Sequence, residues 1–263
     1  MIYVLSRAAG PTVRPFVALE IRRAVRNRRF LVFTVGFPLV LYLLYTTAGV
    51  ATAGSADHDP IVGGMHFSAY FMVSMASFAA MSAAFTVGGI RLSMERASGW
   101  VRQLRVTPLP AAVYVVGKVL VALAIMLPAL VLVAVAAVVA NDVSLPLQTW
   151  IRLLVSIWLG SLPLVALAIL LGYLFDVEAA QAAQMLLLFG LSIFGGLFVP
   201  VQSLPDALAT IARMTPTYQL ADLGWRAIVG QTPDLGGVCL LAAYTAVFGV
   251  LVAWRYRADE RGR

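Results

Sequence analysis

Site chemistry needs titratable, nucleophilic or metal-ligating side chains at workable spacing, and this sequence of 263 residues offers few of them. Its two histidines, His58 and His66, stand among scattered acids, too thin a set to hold a metal ion. The one cysteine, Cys239, excludes an internal disulfide and a cysteine-based metal site, and its apolar surroundings suit a small core residue. No G-x-x-x-x-G-K-[ST], G-x-G-x-x-G, H-E-x-x-H or G-x-S-x-G stretch occurs, so no phosphate cradle, zinc helix or nucleophile elbow is written here. Lys118 is the one charge within a long apolar run, close enough to its end to snorkel toward water. What remains is a basic polar segment at 91–110, RLSMERASGWVRQLRVTPLP, with Arg91, Arg96, Arg102 and Arg105 against a single acid, Glu95. Gly99 can break a helix there, after which Trp100, Val101 and Leu104 share one side of a short helix and Arg102 and Arg105 the other. Thr107-Pro108 ends that helix, because proline disfavours helical geometry in the residue before it. Trp and Arg are common interface anchors, so the segment reads as a recognition surface for a protein partner, the alternative being a Trp that rests on the headgroup boundary.

The elements that position this segment are apolar. The chain is 61% hydrophobic and 12% charged, with a mean hydropathy of +0.91, and a soluble domain of this size needs no such apolar surplus. Uncharged runs of about 18 or more residues read as membrane helices. The expected fold is therefore all-α and integral to a membrane, with six spans at 30–50, 66–90, 111–140, 150–175, 179–200 and 235–254. Pro38, Pro128 and Pro163 fall inside spans, where proline shapes a helix rather than binding an ion. In the second span Ala76, Ala80, Ala84 and Gly88 recur every fourth residue, a stripe that lets another helix approach closely. Residues 1–29 carry seven arginines, with Val17, Ile21, Ala24 and Val25 on one helical face, which predicts a basic amphipathic helix lying on the membrane surface. The opening residues are too weakly hydrophobic for a signal peptide, so the first apolar run is expected to stay as an anchor. Residues 201–234, with Pro205, Pro216 and Pro233, allow only short helices, and 255–263 form a polar tail.

Six spans put both termini on one side. Placing them in the cytoplasm puts fifteen of the nineteen basic residues in cytoplasmic parts and only Arg152, Arg213 and Arg226 outside. The net charge of +7 thus reports orientation, not nucleic-acid binding. Acids at mid-depth, which an ion-driven carrier uses, are missing, so energy must enter from another subunit. An ion-coupled secondary transporter or channel is the alternative reading; a membrane enzyme is disfavoured because no paired nucleophile, base or metal cluster shares a depth.

Three stretches resemble the membrane subunits of ABC-2 type transporters, in particular prokaryotic drug-exporter permeases of the daunorubicin-resistance kind. They are EIRRAVRNRRFLVFTVGFPLVLYLL, the central MERASGWVRQLRVTPLPAAVYVVGKVL, and GGLFVPVQSLPDALATIARMTPTYQLAD. The central one is similar to the family's E-R-E-x-G-T-h-x-x-L-x-x-T-P pattern at Glu95, Arg96, Gly99, Leu104, Thr107 and Pro108, and departs from it at Ala97 and Trp100. The resemblance implies a permease of the ABC-2 (type V exporter-like) fold in the cytoplasmic membrane of a prokaryote. Two such subunits, identical or paired with a sister chain, would form the path, and two separate ATP-binding cassette subunits would hold ATP and magnesium. This chain would bind no cofactor itself. Residues 1–29 would be the connecting helix and the 91–110 loop the coupling element, with Asp176 and Glu178 as a smaller second contact. Residues 201–234 would form re-entrant helices, with Gly195, Gly196, Pro200 and Pro205 at an extracellular gate. Phe71, Met75, Phe78, Phe189 and Phe194 would face the substrate path, whose makeup suits an amphipathic or hydrophobic drug, antibiotic or lipid-like cargo.

Overall fold

Small and flexible side chains fill the run FSAYFMVSMASFAAMSAA, which carries no charge and lets neighbours approach from every side. In the computed structural model, which describes residues 34, 36–47, 59–100 and 111–261, all 18 residues of this run are buried. It is the axis of the bundle. Ahead of it lie α1 (Phe37–Thr46) and a two-stranded antiparallel hairpin, β1 (Ile61–Val62) and β2 (Met65–His66), in which Ile61 pairs with His66. The axial helix is α2 (Phe67–Ala97). It is followed by α3 (Ala111–Asn141), α4 (Leu147–Gly160), α5 (Leu162–Leu174), α6 (Val177–Phe194), α7 (Asp206–Met214), α8 (Pro216–Ile228) and α9 (Leu235–Arg261).

Among the described residues five helical rods are long and apolar enough to cross a membrane: α2, α3, α4 with α5, α6 and α9. The first expected span is represented by α1 alone, and residues 1–29 and 101–110 lie outside the described residues. The α2 helix packs along α3 and also touches α1, α5 and α8, while α5 runs along α9 and α4 along α8. Much of α6 and α9 stays uncovered, including Met185, Leu186, Phe194, Val250 and Trp254. Apolar exposure on that scale suits lipid or another membrane subunit.

The expected boundaries need four corrections. The polar segment does not begin as a loop at Arg91, because helix continues through Ala97. Leu92 is fully buried and the Ser93 hydroxyl donates to the Ile90 carbonyl (2.8 Å), so this stretch is packed rather than solvated. The fourth span is two helices that meet at Ser161, just before Pro163, and it starts earlier, at Leu147. The fifth starts at Val177, where Asp176 caps it, and stops at Phe194, because Gly196 takes a left-handed φ of 77° that favours glycine. The last helix runs past Trp254 to Arg261 with no break into a tail. Pro128 sits inside α3 and removes one backbone donor; Trp158 on α4 donates to the Leu123 carbonyl five residues earlier (2.8 Å).

Candidate functional site

At the end of the bundle where α2 leaves α3 and α5, two consecutive side chains point in different directions. Glu95 reaches α3, where its carboxylate accepts from the Tyr114 hydroxyl (2.6 Å) and from Lys118 Nζ (2.5 Å). Arg96 reaches α5, where Nη1 donates to the carbonyls of Gly172 (2.8 Å) and Tyr173 (2.7 Å). Those carbonyls belong to the last turn of α5 and have no partner within their own helix, so a guanidinium there satisfies them and complements the helix dipole. The guanidinium also lies 5.6 Å from the centre of the Tyr173 ring. Backbone contact completes the junction. A Cβ added to Gly172 would stand 2.8 Å from the Gly89 carbonyl and 3.0 Å from Leu92, so no larger residue fits without moving α2 away from α5.

Lys118 therefore does not snorkel to water. Its side chain is 1% exposed and paired with Glu95 (18% exposed), because the polar end of α2 lies alongside α3 instead of leaving the bundle. A buried pair of this kind is weak evidence for stability, yet losing one partner is costly, because the other charge is left buried and uncompensated. Sequence reasoning placed Glu95 and Arg96 toward a partner and missed Tyr114 and Lys118 as the neighbours of Glu95 and the end of α5 as that of Arg96. The one available signal was an acid and a base bracketing the same turn of two successive spans.

Of the remaining coupling residues, Gly99 has a φ of 75° with open space around it, and Trp100 is half-buried. Val101, Arg102, Leu104, Arg105, Thr107 and Pro108 fall outside the described residues. Asp176 and Glu178 lie at the start of α6 near this junction. The Asp176 carboxylate accepts from the Ala179 amide (2.9 Å), an N-cap worth about 1 kcal/mol, and Glu178 sits in the first turn where negative charge is favoured.

The expected path residues separate. Phe71 and Met75 are enclosed, at 1% and 0% exposure, and Phe71 stacks on Tyr45 with ring centres 4.9 Å apart. Phe194 is 55% exposed on the outer flank of α6. Only Phe78 and Phe189 come together, 6.2 Å apart, and with Phe37 they form a three-ring cluster on a cavity of about 390 Å³ between α2 and α6. Here α2 makes a π-helical turn, Phe85–Ile90, a distortion that often marks functional positions.

At the hairpin end, the glycines expected at a gate take part in one cluster. The Tyr70 hydroxyl donates to the Gly196 carbonyl (3.2 Å), and the Trp225 indole stacks on Tyr70 (4.6 Å) while donating to its carbonyl (3.1 Å). Thr217 on α8 donates to the Leu191 carbonyl (2.7 Å) and sits where a Gly195 side chain would be. Pro200 and Pro205 precede the short turn Val201–Ser203 and α7, outside this knot. Residue type alone gave no sign of Tyr70 and Trp225, since both read as ordinary apolar positions.

A model of the family described as ABC-2 family transporter protein matches residues 63–254. The protein described as "Putative transport permease YvfS" of Bacillus subtilis (strain 168) is 27% identical over 241 residues, which is 92% of this chain and 95% of its own length.

Proposed function

This chain belongs to the ABC-2 transporter family, and from that premise we propose that it is the permease subunit of an ATP-driven exporter. A multi-pass membrane permease with no phosphate-binding motif of its own, if it is driven by ATP, draws that work from a separate subunit. The observation that carries this reading is the junction at Glu95 and Arg96. Force delivered at 99–106 would pass into the end of α2, which these two residues tie to α3 and to α5 at once.

In this reading two ATP-binding cassette subunits, carrying ATP and magnesium, dock on the cytoplasmic side of two permease chains. Residues 1–29 form the connecting helix, 99–106 the coupling helix, and Asp176 with Glu178 the smaller contact. Residues 201–234 cap the exit, with Gly195 and Gly196 at the gate. Both termini are cytoplasmic, the membrane is the cytoplasmic membrane of a prokaryote, and the cargo is an amphipathic or hydrophobic molecule moved outward.

The test is purification of the intact complex in mild detergent from cells that make it, with mass spectrometry and an ATP hydrolysis assay on the product. A soluble subunit containing G-x-x-x-x-G-K-[ST], in stoichiometric amount and hydrolysing ATP faster with this chain than without it, is expected. A folded permease that never carries such a subunit, and transports on an ion gradient alone, would overturn the reading.

A further inference from the structure

One turn of the axial helix holds a residue too many. At the end of Phe85–Ile90 in α2, the Arg91 amide donates to the Thr86 carbonyl, five residues back rather than four. Every residue beyond this turn therefore stands one place short of its regular α-helical position. Two neighbouring glycines, Gly88 and Gly89, lie in the turn, where they weaken α-helix and leave the backbone bare. From α6, Gln184 rests on Gly89 so closely that a Cβ there would overlap its amide. Gln184 is 2% exposed, and neither its amide oxygen nor its amide nitrogen has a hydrogen-bond partner. A buried amide left that way destabilises the arrangement that leaves it so.

We infer that Phe85–Ile90 is a register switch, and that Gln184 draws it toward a second state. In that state the turn is α-helical and the amide bonds to the re-paired backbone of the turn. Converting the turn releases the extra residue, so Arg91–Ala97 advances by one place, a rotation of about 100° and a shift of about 1.5 Å. Glu95 then takes the place of Arg96, which undoes the bonds to Lys118 and to the end of α5 together. The clamp and the π-helical turn hold one state; the Gln184 amide and regular helix favour the other. Ser93, now 2% exposed, moves to the place of Met94, which is 45% exposed. That ATP drives the change rests on the proposed function; the existence of two registers does not.

Thiol labelling with N-ethylmaleimide tests this on the full chain in lipid nanodiscs, with Cys239→Ala removing the native exposed thiol. Ser93→Cys is expected to react well above the rate of Ser77→Cys, a fully buried position of α2 ahead of the turn that the switch does not move. Gln184→Leu keeps the volume and needs no partner. It should slow labelling at position 93 about tenfold, leave position 77 unchanged and cost the chain no stability. Deleting Gly88 closes the turn into α-helix with the clamp in place, and should bring labelling at 93 down to the level at 77. Labelling at position 93 no faster than at 77, or unchanged by Q184L, would overturn the inference. In the assembled complex ATP is expected to speed labelling at 93. Labelling that Q184L slows but ATP leaves unchanged keeps the switch and removes its drive. ATP-driven transport with position 93 closed throughout removes the switch alone.

Discussion

Glu95→Ala will lower the stability of the chain by about 3–5 kcal/mol, because it takes the acid away from an ammonium that is 1% exposed. The carboxylate also accepts from Tyr114, itself buried, so the substitution disturbs two groups on α3 at once. Replacing both charges, as in Glu95→Leu with Lys118→Met, should recover most of the loss, since an apolar pair of similar volume needs no desolvation. Denaturant unfolding in mixed micelles measures the stability, and transport assays on the same variants separate two roles. If the pair only holds the fold, the double variant regains both stability and transport. A register device in the force path predicts recovered stability with transport still lost. A change of less than about 1 kcal/mol in the single variant would show that the pair is not felt by the fold.

Val101→Asp will uncouple the complex, cutting permease-stimulated ATP hydrolysis and transport together by about a hundredfold while the chain stays folded. Val101 is expected to share an apolar side with Trp100 and Leu104 in an otherwise basic segment. A carboxylate pressed into that apolar side at an interface is desolvated without a partner, so a loss of about 3 kcal/mol is expected. Trp100→Ala should fall the same way with a smaller drop. Stimulated hydrolysis and transport at wild-type levels in V101D would remove 99–106 as the coupling element.

The long apolar runs were legible because membrane helices announce themselves by composition. The helix expected at 111–140 is observed as Ala111–Asn141, and the proline-rich stretch before the last span holds only short helices. Polarity misled at Arg91–Ala97, where charged residues signalled solvent but are held by neighbours 23 and 76 residues away. Such pairing depends on which spans lie side by side, and local pattern does not encode that. The same limit hid Tyr70, Trp225 and Gln184, whose roles arise from what faces them across helices. Aromatic identity was equally ambiguous: Phe71 and Phe78 look alike in sequence, yet one is enclosed against Tyr45 and the other borders a cavity.

The proposed coupling turns on whether the polar segment after α2 seats against an ATP-binding subunit. The most direct measurement replaces Trp100 with p-benzoylphenylalanine, irradiates intact cells, and identifies the cross-linked product by mass spectrometry, with the same label at Ile211 on α7 as the control. The account predicts an adduct from position 100 to a soluble protein carrying G-x-x-x-x-G-K-[ST], and none to it from position 211. Adducts from position 100 to lipid alone, in a chain that still transports, would contradict it.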